Sequence, residues 1–213
     1  MKKLITVVMV VSLFFVMGLN IAMAQGVDVG IVLPTRDEPR WLQDQARFED
    51  VIAQTPYSVN VLFSQGSSAT EMTNVETLIA RGAKVIIICA HDAAAAGIAV
   101  ERAREEGIAV ISYDRLITDT DAVDYYVTFD SVSVGEAMGQ YLVDNADGKG
   151  NPLYLYAGAL TDNNSFLFFQ GAWNVLQPRI ADGTFVIKNS VQAENYKDIL
   201  ELSREQLAAI IGE

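Results

Sequence analysis

From residue 27 onward the chain alternates short, nearly unbroken apolar runs with longer amphipathic stretches. The runs VDVGIVL (27–33), SVNVLFS (58–64), AKVIIICA (83–90) and IAVISYD (108–114) are rich in Val and Ile. Strands buried on both faces of a parallel sheet have this character, whereas half-exposed strands alternate apolar and polar positions. The stretches between them carry helix signals. Ser68-Ala69-Thr70-Glu71 reads as a capping box, in which the hydroxyl accepts an orphan amide and the carboxylate reaches back. Met72, Val75, Leu78 and Ile79 then share one helical face, and Gly82 supplies a left-handed stop. Asp92 is placed to cap a second helix over 93–106, which Gly107 closes. This β-α-β-α-β-α-β order predicts a parallel sheet covered by helices on both sides.

A fifth strand is expected in YYVTFD (125–130), and a second capping box, Ser133-Val134-Gly135-Glu136, predicts a helix ending near Asn145. After the turn DGKG, the run NPLYLYAGAL (151–160) opens what reads as a second α/β unit. Phe166, Phe169, Trp173 and Leu176 recur at helical spacing and predict a helix that stops at Pro178. TFVIKN (184–189) reads as a strand, and ILELSREQLAAIIG (199–212) as a further helix with an apolar face from Ile199 to Ile211.

The first 24 residues follow a different logic. Lys2 and Lys3 precede a long apolar stretch, and Ala22-Met23-Ala24 gives the small-x-small pattern of a signal-peptide cleavage site. A retained membrane anchor is the competing reading, because the stretch approaches spanning length. No Lys or Arg follows until Arg36, which favours cleavage after Ala24 and export. The two lysines are the only charges in the leader, so the exported chain is two charges more negative than the full sequence at −12. Such a balance argues against nucleic acid and anionic lipid as partners. The single cysteine, Cys89, lies inside an apolar run, reads as a small buried residue and excludes an internal disulfide. No cysteine follows the cleavage site to take a lipid, so the expected compartment is a periplasm.

Enzyme signatures are absent from the sequence. One histidine, His91, and one cysteine do not make a common zinc site, and no G-x-S-x-G, Walker or G-x-G-x-x-G motif occurs. Neither a metal nor a cofactor is expected. Open parallel sheets place ligand groups on loops beyond the carboxyl ends of their strands. The loop after the first strand leads to Arg40 and Trp41, the fourth strand ends in Asp114 and Arg115, and Asp162, Asn163 and Asn164 follow the first strand of the second unit. Planar carboxylates, amides and guanidiniums each bridge adjacent hydroxyls, and an indole face covers the C–H patch of a sugar ring. This set suits a neutral polyol better than an anion. Each residue also has a plainer reading: Trp41 as core, Asp162 as a helix N-cap, Asp114 and Arg115 as partners for loop amides.

The chain resembles the periplasmic sugar-binding proteins of ABC importers, in the xylose-binding and multiple-sugar-binding group. The stretches that carry the resemblance are RWLQD, NVETLIARGAKVIII, EEGIAVISYDRLI, YYVTFDSVSVGE and DNNSFLFFQGAWNVLQP. The resemblance implies a type I periplasmic binding protein fold, two Rossmann-like lobes closing on a monosaccharide without catalysis. It implies a first lobe over 25–131 and the start of a second, incomplete lobe over 132–213, in a C-terminally truncated chain. It implies that Arg40, Trp41, Asp114 and Arg115 contribute from the first lobe and Asp162 and Asn164 from the second, with Tyr196 replacing a second stacking tryptophan. The expected partners are an aldopyranose and the permease subunits of an ABC importer. A sensing module that presents ligand to a chemoreceptor or sensor kinase is the alternative, and a secreted α/β enzyme a further rival.

Overall fold

The computed structural model describes residues 26–155 and 158–188. The apolar runs become β1 (Val29–Leu33), β2 (Val59–Phe63), β3 (Val85–Ile88), β4 (Ala109–Tyr113) and β5 (Tyr125–Val127). All pair in parallel in the order β2-β1-β3-β4-β5, with Val29 opposite both Val59 and Val85. Successive side chains along a strand point to opposite faces, and the two cores follow from that period. Ile31 and Leu33 join Trp41, Phe63 and Cys89 on one face. Val32, Ile86, Ile88 and Val110 join Val75, Leu78, Ala99, Val100 and Ala103 on the other. The helix α1 (Pro39–Ile52) supplies Trp41 to the first face; α2 (Ser68–Ala80) and α3 (Ala96–Glu105) cover the second. β5 departs from the buried-strand pattern, since all three of its residues are exposed at the sheet edge.

The remaining described elements are α4 (Ser131–Asp144), β6 (Asn151–Leu153), α5 (Asn163–Ala181) and β7 (Phe185–Ile187). β6 and β7 form a separate parallel pair whose core is Leu153, Trp173, Leu176, Phe185 and Ile187. α4 and α5 cross at glycines: a Cβ on Gly135 would collide with the Phe168 carbonyl, and one on Gly171 with the Val132 carbonyl. Backbones approach that closely only where side chains are absent.

Both capping boxes are misplaced. Ser67, not Ser68, caps α2 by accepting from the Thr70 amide, and Glu71 turns inward instead of reaching back. Asp130, not Ser133, caps α4, accepting from the Ser133 amide and hydroxyl. A short-range motif fits two registers here, and tertiary burial selects one. Asp92 does not cap α3 either: Ala95 stands at the N-cap without a side-chain hydrogen bond, and Asp92 accepts from the amides of Ala94 and Ala95 in the turn that precedes the helix. Gly82 and Gly107 adopt the left-handed conformation expected after α2 and α3. α5 does not stop at Pro178 but runs to Ala181, because a proline in the last turn forfeits one ladder hydrogen bond without preventing the turn. The leader, Tyr196 and the helix expected over 199–212 lie outside the described residues.

Candidate functional site

In this strand order the chain leaves β1 for β2 on one side and leaves β3 for β4 on the other, so the connections after β1 and β3 diverge and open a crevice at their carboxyl ends. Arg40, on the first turn of α1, reaches across it. Its Nη2 lies 3.0 Å from Asp114 Oδ2 and its Nε 3.5 Å from Asp44 Oδ2, one helical turn on. Asp44 is buried and also accepts a hydrogen bond from the Tyr113 hydroxyl at 3.2 Å. Burial works against the Arg40 charge, and the Asp114 and Asp44 carboxylates outweigh it, so the guanidinium pKa lies above its ordinary value. Asp44 thereby fixes a side chain that would otherwise lose several rotatable bonds of freedom on docking.

Asp114 terminates β4 with φ at +63°, in the left-handed region, and the Arg115 amide donates back to the Tyr113 carbonyl at 2.7 Å. This tight three-residue turn is costly for a side chain with a Cβ and recurs at functional sites. It is locked by donors: the Asp114 carbonyl accepts from the Thr128 hydroxyl at 2.8 Å, the Asn164 amide at 3.1 Å and the Tyr126 hydroxyl at 3.2 Å. Burial pushes the Asp114 carboxyl above its ordinary pKa; Arg40 and Arg115 pull it down and Asp162 adds to the rise. The strand end is therefore a held constellation, not a loose surface ion pair.

The two units meet at this point. Arg115 Nε lies 3.0 Å from Asp162 Oδ2, both side chains mostly buried. The Nε–H is not aligned for a hydrogen bond despite that separation, so the contact is Coulombic. Arg115 Nη1 donates to the Ala90 carbonyl at 3.3 Å. Asp162 caps α5 by accepting the Asn164 amide, as its plainer reading expected, and holds Arg115 as well. Asn164 is buried, its Oδ1 accepts from the Ser131 hydroxyl at 3.2 Å, and its Nδ2 faces Asp114.

The structure thus brings together Arg40, Asp114, Arg115, Asp162 and Asn164. Trp41, expected as a stacking face, lies beneath this set. It is 1% exposed, and the guanidiniums of Arg40 and Arg115 lie 4.5 and 5.5 Å from its ring centre. The indole is the floor beneath two arginines, where cation–π attraction holds both. Asp44, Tyr113, Ser131 and Glu71 were not anticipated. For Asp44 the signal was present, an acid four residues after Arg40 on a helix. Cys89 is fully buried, and burial pushes its thiol pKa up, so it stays protonated and inert. Among the described residues no cluster of His, Cys, Asp or Glu fits a metal ion.

A family model described as a periplasmic binding protein domain matches residues 29–213. The multiple sugar-binding periplasmic protein SbpA of Azospirillum brasilense is 35% identical over 175 residues, covering 80% of this chain and 49% of that protein. The multiple sugar-binding periplasmic receptor ChvE of Rhizobium radiobacter is 35% identical over 168 residues, covering 77% and 48%. Among solved structures, a carbohydrate transporter solute binding protein from Chloroflexus aurantiacus in complex with D-glucose superposes with a TM-score of 0.82. It is 65% identical and the match covers 88% of this chain and 55% of that one. The chain spans about half the length of the curated relatives it matches.

Proposed function

The chain belongs to the periplasmic binding protein family, and from that premise we propose that it binds a monosaccharide, an aldopyranose, at the crevice formed by Arg40, Asp114, Arg115, Asp162 and Asn164. It does so as the substrate-binding part of an ABC-type importer, outside the cytoplasmic membrane after removal of the leader at Ala24. One observation carries the reading: acids and guanidiniums alternate around the crevice, Arg40 against Asp114 and Arg115 against Asp162, at 3.0 Å in each case. A sugar hydroxyl both donates and accepts, so it inserts between a carboxylate and a guanidinium and satisfies both. An anionic ligand would meet Asp114 and Asp162, and a cationic one Arg40 and Arg115. A neutral polyol meets no like charge.

In this reading the two units are lobes that divide near residue 131, where α4 begins and starts to pack on α5. Asp114, Arg115 and Arg40 form the first lobe's clamp; Asp162 and Asn164 answer from the second; Tyr196 is assigned to the second lobe's stacking contact.

The first ligand to test is D-glucose, the sugar in the Chloroflexus aurantiacus complex, with D-xylose alongside it. Isothermal titration of the full exported chain should show saturable binding of at least one, and Arg115→Ala should abolish it. Absence of heat with either sugar would reject the proposal for these aldoses. The word receptor in the name of ChvE favours a second reading, presentation of the loaded protein to a membrane sensor, which sugar-dependent co-purification with a receptor ectodomain rather than a permease would support.

A further inference from the structure

Glu71 is the most unusual buried group outside the crevice. It lies on the first turn of α2, is 1% exposed, and no Lys or Arg pairs with it within 4.0 Å among the described residues. Its Oε2 accepts two hydrogen bonds, from the His91 amide at 2.8 Å and the buried Ser64 hydroxyl at 3.2 Å, while its Oε1 is buried without a partner. Ser64 ends β2 and His91 follows β3, so one carboxylate oxygen ties together two strand ends that flank β1. A buried carboxylate with an orphaned oxygen is costly, and hydrophobic packing does not explain its presence.

The loop it grips touches both halves of the crevice. Within residues 89–93, the Ala90 carbonyl accepts from Arg115, and the Ala93 amide donates to the Thr161 carbonyl at 2.9 Å, one residue before Asp162. The Ala93 carbonyl in turn accepts from the Thr118 amide at 2.8 Å. The placement of His91 therefore fixes where Arg115 is braced and where the Asp162 segment docks. We propose that Glu71 is a positioning residue of the crevice, whose carboxylate, by holding the His91 amide, aligns Arg115 with Asp162. For affinity, this rests on the monosaccharide reading above; for loop position, it does not.

The ionised form is the better acceptor, because a hydrogen bond to a charged group is about twice as strong as one to a neutral group. Burial pushes the Glu71 carboxyl up to about 7, against the His91 amide and the Ser64 hydroxyl, which favour its charge. Asp92 raises it further and Arg115 lowers it. The charged groups that act on Glu71 are thus Asp92 from the loop after β3 and Arg115 from the end of β4.

The test compares the full chain with Glu71→Gln, which keeps the shape and an acceptor oxygen but never ionises. Amide exchange over residues 89–93 is measured by mass spectrometry from pH 5.5 to 8.5, with D-glucose titrated at each pH. Both proteins carry His91, Asp92 and Arg115, so the contributions of those groups cancel. A local opening that breaks the His91 amide contact while α2 stays folded leaves Glu71 buried and takes away a hydrogen bond that favours its charge. Protection of the loop should therefore be equal at pH 5.5 and about fivefold greater in wild type at pH 8.5, with D-glucose affinity diverging in the same direction. Equal protection at every pH would overturn the proposal whether or not the sugar binds. Diverging protection without any D-glucose binding by wild type would uphold the positioning role and count against the sugar reading instead. Should Glu71→Gln not fold, His91→Asn keeps the amide and removes the imidazole. In that variant, protection of residue 91 relative to the β3 amides should still rise through about pH 7, and a flat ratio would overturn the proposal.

Discussion

Removing the ionisable group at position 71 should change how stability depends on pH, independently of any ligand. Burial raises the Glu71 carboxyl from 4.5 to about 7 in the folded chain, whereas in the unfolded chain it returns to the ordinary value. Between those two values the folded state binds the proton more tightly than the unfolded state, so stability falls as pH rises through this window. Below about 4.5 the residue is neutral in both states and imposes no charge-burial cost. Above about 7 the full cost is present. The displacement corresponds to about 3 kcal/mol at 1.36 kcal/mol per pH unit. Glu71→Gln never carries that cost. In urea denaturation the difference in unfolding free energy between variant and wild type should grow by about 3 kcal/mol from pH 4.5 to pH 8 in favour of the variant. Other titrating groups contribute equally to both proteins and drop out of the difference. A difference constant with pH would refute the reasoning, since it would mean that Glu71 ionises no differently in the folded chain than in the unfolded one.

Asp114→Asn should weaken D-glucose binding about 10- to 100-fold by replacing a two-oxygen acceptor with an amide; titration calorimetry showing native affinity would return Asp114 to a purely structural role. Trp41→Ala should destabilise the chain by about 3–5 kcal/mol, as for a large aromatic removed from a core, and thermal melting within a degree or two of wild type would contradict its buried placement. Gly135→Ala should separate α4 from α5 through the clash with the Phe168 carbonyl, lowering the Tm, while an alanine at Gly82, where a Cβ would meet nothing within 4 Å, should cost only about 1 kcal/mol through its left-handed backbone. Hydrogen exchange should find the amides of β1, β3 and β4 more protected than those of the two-stranded β6–β7 pair, because a pair of strands is marginal alone; equal protection would contradict this.

Much of the framework was legible because it rests on short-range pattern. Nearly continuous Val and Ile runs announced the parallel strands, and each of β1 to β4 lies within the run that predicted it. The loops at strand ends are located by the same pattern, and Arg40, Asp114, Arg115, Asp162 and Asn164 lie on or just beyond them. What stayed hidden was long-range. Glu71 fits the fourth position of a capping box, and only the arrival of the β3 loop turns it inward. Trp41 at a helix start suits a stacking face as well as a core, and its burial against Phe63 and Cys89 comes from residues distant in sequence. Ser131 has no signal of its own, since its hydroxyl matters only because Asn164, 33 residues later, arrives beside it.

Two unfavourable features of the first unit act at neighbouring strand ends, Asp114 just after β4 and Glu71, from α2, on the loop after β3. Asp114 sustains a left-handed backbone that a glycine would adopt at no steric cost, and Glu71 sustains a buried charge that a glutamine would avoid. Glycine at 114 would relieve the strain but remove the carboxylate that meets Arg40 and Asn164. Glutamine at 71 would relieve the charge but weaken the grip on the His91 amide. Stability alone therefore selects against both side chains. Their shared destination is the line from Ala90 through Arg115 to Asp162, where the two units touch. Strain held in place by many donors is the expected form of preorganisation at a site that has to meet hydroxyls in a fixed geometry. The three hydrogen bonds on the Asp114 carbonyl supply that hold. Two of them come from Tyr126 and Thr128, on and just beyond the edge strand β5, so this exposed strand, with no buried residue of its own, secures the crevice from outside the core.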